Sequence, residues 1–259
     1  MNEYRFDKRV SQAIVNGILQ GYKNYLEERN EKKTSMKIST AYSWVRGNHI
    51  EDQTALFCEE VGINYTFARA GNSWGYLQFT NDQERQMFIV KNGRYLNKRN
   101  ITTGNNVNEY INDEKLNKNH YLYKLAQINH HIDFQQPVQL ELPLDGETVA
   151  FEDQFISFSI ADDELKEVQK EYVYFYIISY EIDRYGMISR IQLLLPSPVD
   201  GQAHLVEDLT PYIGTSTIDL STVDTAIAIE DRTSQTEYPD AAWFDITTHD
   251  DQKKKNESS

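Results

Sequence analysis

The 259-residue sequence predicts an α+β fold, in which a helix-rich N-terminal unit with a small sheet precedes a strand-rich, mainly antiparallel C-terminal unit. Near the N-terminus, apolar residues recur at every fourth position, which is typical of an amphipathic helix. Beyond residue 137, apolar residues alternate with polar ones or form short runs, which is typical of strands. Between these two parts, several features of the composition change at the same place.

The change in composition predicts a domain boundary near residues 132–137. Residues 1–132 contain 18 Lys and Arg against 14 Asp and Glu, whereas residues 133–259 contain 8 against 26, so the net charges are +4 and −18. All six prolines lie in the second part, and 18 of the 19 asparagines lie in the first. The predicted units are therefore a mildly basic, Asn-rich unit at 1–132 and an acidic, strand-rich unit at 133–248, with 249–259 as a disordered tail. A single domain with polarised charge is the alternative.

The first predicted helix has an apolar stripe at every fourth residue, formed by Phe6, Val10, Ile14, Ile18 and Tyr22. Gly17 and Gly21 lie in the same segment, although a glycine inside a helix costs about 1 kcal/mol relative to alanine. This spacing predicts that another backbone approaches the helix closely along that side. The polar residues 27–35 are expected to end the helix and form a solvated loop.

The rest of the first part predicts a second helix and a small sheet. The second helix is expected to begin at Asn48 or His49 and to end at Gly62, which would serve as its C-cap. Three strands are predicted over residues 63–69, 74–80 and 87–92. Residues 106–132 carry helical periodicity again.

The second part predicts strands over residues 137–144 and 155–160, and a short acidic helix over 161–171. Its clearest element is a long β-hairpin at about 172–196, with residues 183–186 at the tip and Pro196 closing it. One or two further strands are expected within 217–231.

The composition and the absence of certain motifs exclude some classes of protein and argue against others. A pI near 4.9 argues against a nucleic-acid-binding protein that is basic overall. The single cysteine excludes a disulfide framework within the chain and a Cys-rich zinc site. The N-terminus has no apolar signal-peptide core and no apolar run approaches the ~18 residues of a membrane span, so we expect a cytoplasmic protein that does not enter a membrane. The common nucleotide-binding motifs GxxxxGK[ST] and GxGxxG are absent.

The positive signal for function is an interleaving of basic and aromatic residues between residues 65 and 99. Aromatic rings stack on nucleic-acid bases, while Arg and Lys neutralise phosphates, so a single-strand platform uses both types. Strand alternation would place Tyr65, Phe67 and Arg69 on one face. The candidate nucleic-acid-binding residues are Arg69, Trp74, Tyr76, Lys91, Arg94 and Arg99. This pattern predicts a non-enzymatic binding or regulatory protein whose N-terminal unit contacts nucleic acid or a protein partner.

The same segment, with its helix, strands and strand-end lysine, weakly resembles the core of restriction-endonuclease-like nucleases. The resemblance covers about 40 residues and implies an alternative function with Mg²⁺ as cofactor. Asp82 would bind the metal, Lys91 would be the lysine of the motif, and Glu59 or Glu60 would supply a carboxylate from the helix. Ile89 departs from the pattern, because an acidic residue should stand two positions before that lysine. The alternative is therefore a nuclease fold that is degenerate.

Other reactive side chains give no catalytic or metal site. His120 and His131 would share a helix face but lie three turns apart, and His130 points away, so no metal or other cofactor is predicted. Cys58 has Glu59 and Glu60 beside it, which disfavour a reactive thiolate. The acidic second part either keeps its strands soluble or presents an anionic face to a basic protein.

Overall fold

The computed structural model describes residues 4–70, 74–103, 115–134 and 170–233. These residues contain four α-helices: α1 (Lys8–Ser35), α2 (Arg46–Glu59), α3 (Tyr121–Ala126) and α4 (Ala226–Thr233). They also contain six strands: β1 (Asn64–Ala70), β2 (Trp74–Asn81), β3 (Gln86–Asn92), β4 (Tyr174–Ile182), β5 (Ile188–Pro196) and β6 (Ala203–Asp208). The helices and the mixed sheet make this an α+β fold.

The six strands form one sheet in which the spatial order is the order in the sequence. Every neighbouring pair is antiparallel except β3 and β4, which run parallel from Gln86 opposite Tyr174 to Asn92 opposite Tyr180. A parallel pair needs a long connection, and α3 lies within it. The sheet thus contains strands from both sides of the predicted boundary at residue 132, and the division into two domains stays a prediction.

The sheet separates two hydrophobic cores. On one face, α1, α2 and α4 cover the side chains of β3, β4 and β5 that include Phe88, Tyr176 and Ile191. On the other face, α3 covers the alternate set, which includes Ile89 and Ile177. Side chains alternate along a strand, so a residue's position in the register decides which core it joins.

Helix α1 is longer than the sequence predicts. The expectation of a solvated loop over residues 27–35 is wrong, because the helix continues to Ser35. Glu, Arg and Lys favour helix, and the segment contains no glycine or proline. In addition, Arg29 points inward and is 4% exposed, since it forms an ion pair with Asp231 on α4.

The close packing expected at Gly17 and Gly21 is confirmed. A Cβ atom on Gly17 would lie 2.4 Å from the Cα of Thr54, and one on Gly21 would lie 2.4 Å from the carbonyl oxygen of His49. Both neighbours belong to α2. The two glycines therefore allow α1 and α2 to pack with their backbones in contact.

Helix α2 begins at Arg46, two residues before the predicted start, and follows a 3₁₀ helix over Thr40–Val45. The C-cap residue is Glu60 and not Gly62, but Gly62 closes the turn that follows, with φ +82° and its N–H donating to the carbonyl of Glu59 at 3.1 Å. The three strands predicted near 63–92 are confirmed as β1, β2 and β3.

The long hairpin is confirmed as β4 and β5, with its tip at residues 183–186. The Tyr22 hydroxyl donates to the carbonyl of Gly186 at 2.7 Å, which attaches the tip to α1. The prediction of one or two strands within 217–231 is wrong, since this segment contains α4. Ile227 and Ala228 are adjacent in the sequence and both are buried in the core on the α1 side of the sheet.

The described residues include only part of the remaining predicted elements. The sequence pattern does not predict strand β6, because this strand is short and contains His204, Glu207 and Asp208. Of the helix predicted over 106–132, the described part contains α3 and a 3₁₀ helix over Gln127–His131. The predicted strands at 137–144 and 155–160, most of the helix at 161–171 and the tail at 249–259 lie outside the described residues.

Candidate nucleic-acid interface

Three side chains on strand β1 form an exposed strip, which we call the β1 platform: Tyr65, Phe67 and Arg69. They pair with alternate residues of β2 and therefore lie on the α1 side of the sheet, as Phe79 does. Tyr65 is 44% exposed and Phe67 is 63% exposed, and Arg69 is exposed as well. The prediction that these three residues share a face is confirmed.

The ring of Phe67 lies across Gly75 on the neighbouring strand. A Cβ atom at Gly75 would be 2.2 Å from the ring, so the absence of a side chain there makes room for it. The Arg69 guanidinium carbon lies 5.7 Å from the centre of the same ring, within the range of a cation–π contact. A large aromatic surface thus faces outward with a positive charge beside it.

The two ends of the β1 platform differ in charge. Arg69 lies at the end where β1 meets the start of β2. At the other end, Asn64 donates from its side chain to Asp82 at 3.0 Å, and the hydroxyl of Tyr172 donates to the same carboxylate at 3.3 Å. An anionic group is therefore favoured near Arg69 and disfavoured near Asp82.

Tyr76 and Lys91 lie on the opposite face of the sheet from the β1 platform. Tyr76 is buried against Tyr121, with ring centres 5.5 Å apart, and the Lys91 ammonium lies 5.8 Å from the centre of the Tyr121 ring. The structure brings these two predicted residues together through α3. Tyr76 is inaccessible to a base in this arrangement, because its ring belongs to the core.

His120 lies near Lys91 and Tyr121, and its ring is neutral. Its Nδ1 accepts a hydrogen bond from the backbone N–H of Leu122 at 3.2 Å, so the proton of the neutral ring resides on Nε2. Burial and the nearby charge of Lys91 lower the pKa of His120 to about 3. The ring caps the start of α3.

The other three predicted residues are dispersed. Trp74 begins β2 opposite Ala70, and its side chain lies outside the described part of the structure. Arg94 lies in a 3₁₀ helix that follows β3, with its guanidinium 5.6 Å from the ring of Tyr95. Arg99 is exposed in the next loop. The five residues whose side chains are described therefore occupy both faces of the sheet, a 3₁₀ helix and a loop rather than a single surface.

A row of polar residues, which the sequence pattern does not predict, crosses the sheet interior near the carboxyl ends of β3 and β4. Lys91 lies opposite Ser179, which lies opposite Gln192. The Lys98 ammonium donates to Gln192 at 2.6 Å and to Glu181 at 3.1 Å. These contacts hold the loop after β3 against the sheet. The signal in the sequence is a polar residue between apolar neighbours, Ser179 in β4 and Gln192 in β5.

The residues of the nuclease alternative do not come together. Asp82 follows the point where Asn81 pairs with Gln86, whereas Lys91 lies five residues further along β3. At about 3.3 Å per residue, these two residues are separated by about 17 Å along the strand. Glu59 ends α2 and Glu60 follows it, both exposed on the side where β1 begins. A metal ion bound by Asp82 would therefore lie far from the ammonium group of Lys91.

The expectation that the hydrolase signature GxSxG is absent from the chain is wrong, because Gly71-Asn72-Ser73-Trp74-Gly75 has its spacing. In that signature the serine stands on a turn from a strand into a helix. Here the segment joins β1 to β2, which are antiparallel strands. In the described residues, the end of the signature therefore lies in strand β2 and not in a helix.

Within the described ranges, no three His, Cys, Asp or Glu side chains are grouped closely enough to hold a metal ion. Cys58 is fully buried, and burial raises the pKa of its thiol to about 12, which makes it a poor nucleophile. His130 and His131 are exposed neighbours, with ring centres 5.7 Å apart.

In the part of the chain that the structure describes, no helix has both the length and the apolar character needed to cross a bilayer. Comparisons of the chain with protein-family models, with curated proteins and with solved structures find no match.

Proposed function

We propose that this chain is a non-enzymatic binding protein that takes single-stranded nucleic acid on its β1 platform. The observation that carries the proposal is the exposed ring of Phe67, which lies on Gly75 and has the guanidinium carbon of Arg69 5.7 Å from its centre. Tyr65 extends the aromatic surface along the same strand. Base stacking and phosphate neutralisation need these two side-chain types on one accessible face.

The spacing of the rings favours a single strand over a duplex. Tyr65 and Phe67 are two residues apart on β1, which corresponds to about 7 Å. Bases in a duplex rise by about 3.4 Å per nucleotide on each strand and show only their edges in the grooves. An extended strand with splayed bases can place one base on each ring.

The expected affinity is modest. Each base stacked on an aromatic side chain contributes about 1–3 kcal/mol, and one arginine adds one phosphate contact. The acidic groups of the second part oppose the approach of a polyanion at long range, and salt screens that repulsion. We therefore expect binding without strong sequence preference, most easily detected at low salt.

The proposal is tested by fluorescence anisotropy of a labelled oligothymidylate of about 12 nucleotides, titrated with the full chain at about 50 mM salt. Phe67→Ala is expected to weaken binding roughly 5- to 150-fold, because it removes one stacking site. Arg69→Ala is expected to weaken binding and to reduce the salt dependence by about one phosphate contact.

A matched control is available at the hairpin tip. Arg184 lies over the ring of Tyr185 at 4.9 Å, and Tyr185 is 59% exposed, so this pair has the same chemistry on a turn instead of a sheet. Tyr185→Ala and Arg184→Ala should leave the affinity unchanged within about twofold. Equal losses at both pairs, or no binding by the wild-type chain at low salt, would reject the β1 platform as the binding site.

The nuclease alternative makes a different prediction in the same samples. It requires cleavage of the oligonucleotide with Mg²⁺ or Mn²⁺, and it requires Asp82→Ala to abolish that cleavage. The separation of Asp82 from Lys91 favours binding without cleavage. Metal-dependent cleavage that is lost in Asp82→Ala would favour the alternative instead.

A further inference from the structure

In the part of the chain that the structure describes, strand β1 is an edge of the sheet. Within the described residues it pairs with β2 alone, over all seven of its residues from Asn64 to Ala70. The backbone N–H and C=O groups on its other side therefore find no strand among those residues. Such an edge is a template for pairing with another strand.

The two edges of the sheet are protected to different degrees. Strand β6 is short, ends in Glu207 and Asp208, and pairs with β5 across an irregularity at Leu193 and Leu194. Charges, short length and bulges are the common ways in which proteins prevent unwanted strand pairing. Strand β1 contains no proline and no lysine, and its pairing with β2 is regular throughout.

The sequence of β1 is complementary to itself in the antiparallel direction. A two-fold axis through Phe67 pairs all seven residues of one copy with all seven of another. Phe67 then lies opposite Phe67 of the second copy, and Tyr65 lies opposite Arg69 of the second copy. Residues directly opposite in an antiparallel pair are close enough for aromatic and cation–π contacts.

We propose that the protein forms a two-fold symmetric dimer in which β1 pairs with β1 of a second copy, centred on Phe67. A second copy of β1 fits this edge in two respects. Its register provides hydrogen-bond partners for the backbone N–H and C=O groups on the outer side of β1, and it places each arginine opposite a tyrosine. The interface is small, so the dimer exchanges with monomers.

The dimer joins the two β1 platforms into one surface. Side chains stand perpendicular to a sheet, so pairing at the edge leaves Tyr65, Phe67 and Arg69 of both copies on the same exposed face. The combined surface carries four aromatic rings and two guanidinium groups. The pairing itself requires no nucleic acid and does not depend on the proposed function.

The register is tested by cysteine crosslinking of the full chain in the absence of nucleic acid. Opposite Cα atoms in an antiparallel pair are about 4.5–5.5 Å apart, which suits a disulfide. Phe67→Cys should therefore give a covalent dimer on mild oxidation. Tyr65→Cys should not, because the two copies of residue 65 are offset by four residues, about 13 Å along the strand.

Two further samples complete the experiment. A mixture of Tyr65→Cys and Arg69→Cys chains should crosslink to each other, since these positions face one another across the axis. The wild-type chain should give no covalent dimer, because Cys58 is buried, but its sedimentation should shift towards a dimer between about 5 and 500 μM. A wild-type chain that stays monomeric, or Phe67→Cys and Tyr65→Cys chains that crosslink equally, would overturn the proposal.

Discussion

The ring of His120 is held neutral by the side chains around it, and this has a consequence for stability. Its pKa is lowered from 6.5 to about 3 by burial and by the charge of Lys91, whereas an unfolded chain would protonate it near 6.5. Between these values the unfolded state binds more protons than the folded state. Stability therefore falls as the pH falls through that range.

Substitution of His120 by asparagine separates this effect from the capping role. Asparagine keeps an oxygen that can accept the N–H of Leu122, but it does not titrate. In the variant, the free energy of unfolding should no longer show the fall that His120 causes as the pH decreases. That fall is at most about 1.4 kcal/mol per pH unit. Urea unfolding of both proteins from pH 7 to pH 4 measures it. Burial also lowers the pKa of His204, so the difference between the two proteins is the quantity to compare, and a constant difference would contradict the prediction.

Individual residues show what sequence alternation can and cannot predict. The period of two along a strand correctly places Tyr65, Phe67 and Arg69 on one face, because that property belongs to one strand. It cannot place Arg69 relative to Lys91, because their relation depends on the registers of β1, β2 and β3. Nor could it reveal that Phe67 is the accessible ring and Tyr76 the buried one.

The contact between α1 and α2 depends on two positions without side chains. Gly21→Ala places a Cβ 2.4 Å from the carbonyl oxygen of His49, which is a backbone atom that moves only with α2. We expect a loss of roughly 1–3 kcal/mol in the free energy of unfolding, even though alanine favours helix by about 1 kcal/mol. Thermal or urea unfolding measures this loss.

Gly214→Ala is the matched control, because no atom lies within 4 Å of a Cβ at Gly214. This variant should change the free energy of unfolding by less than about 0.5 kcal/mol. If Gly21→Ala were as stable as Gly214→Ala, the close approach of the two helices would not describe the folded state.

At the scale of elements, local patterns predict well where an element depends on its own residues. The hairpin of β4 and β5 has a turn and two long apolar runs, and both are visible in the sequence. The end of α1 and the nature of residues 226–233 depend on each other through Arg29 and Asp231. That contact joins positions about 200 residues apart, so the sequence pattern predicted a loop and a strand instead.

Across the whole molecule, basic residues of the first part meet acidic residues of the second. Arg29 pairs with Asp231, Lys33 with Glu230, and Lys98 with Glu181. The net charges of +4 and −18 predict two separate units. The same opposite charges also allow the two segments to bind each other through ion pairs. Composition shows the asymmetry but not the pairs, because the partners are distant in sequence.

The buried pair is expected to dominate this association. Arg29 donates from Nε and from Nη2 to both oxygens of Asp231, at 3.0 and 2.8 Å, and the hydroxyl of Tyr25 donates to the same carboxylate at 2.9 Å. Asp231→Asn leaves the Arg29 charge buried without its counter-ion. The free energy of unfolding should fall by roughly 3–5 kcal/mol, as measured with urea.

Glu230→Gln tests the neighbouring pair with Lys33, which is exposed. Exposed ion pairs contribute about 0–1 kcal/mol, so this variant should unfold close to the wild type. Similar losses for the two variants would show that burial of the Arg29–Asp231 pair does not determine how the C-terminal helix is attached.

We propose that a single strand of nucleic acid stacks on β1. The most direct test of this proposal is photocrosslinking of the full chain to an oligonucleotide that contains 5-iodouracil, followed by mass spectrometry of the crosslinked peptide. We expect the crosslinks to fall on Tyr65 or Phe67. Crosslinks confined to residues outside 64–70, or none at a concentration that saturates the anisotropy signal, would contradict it.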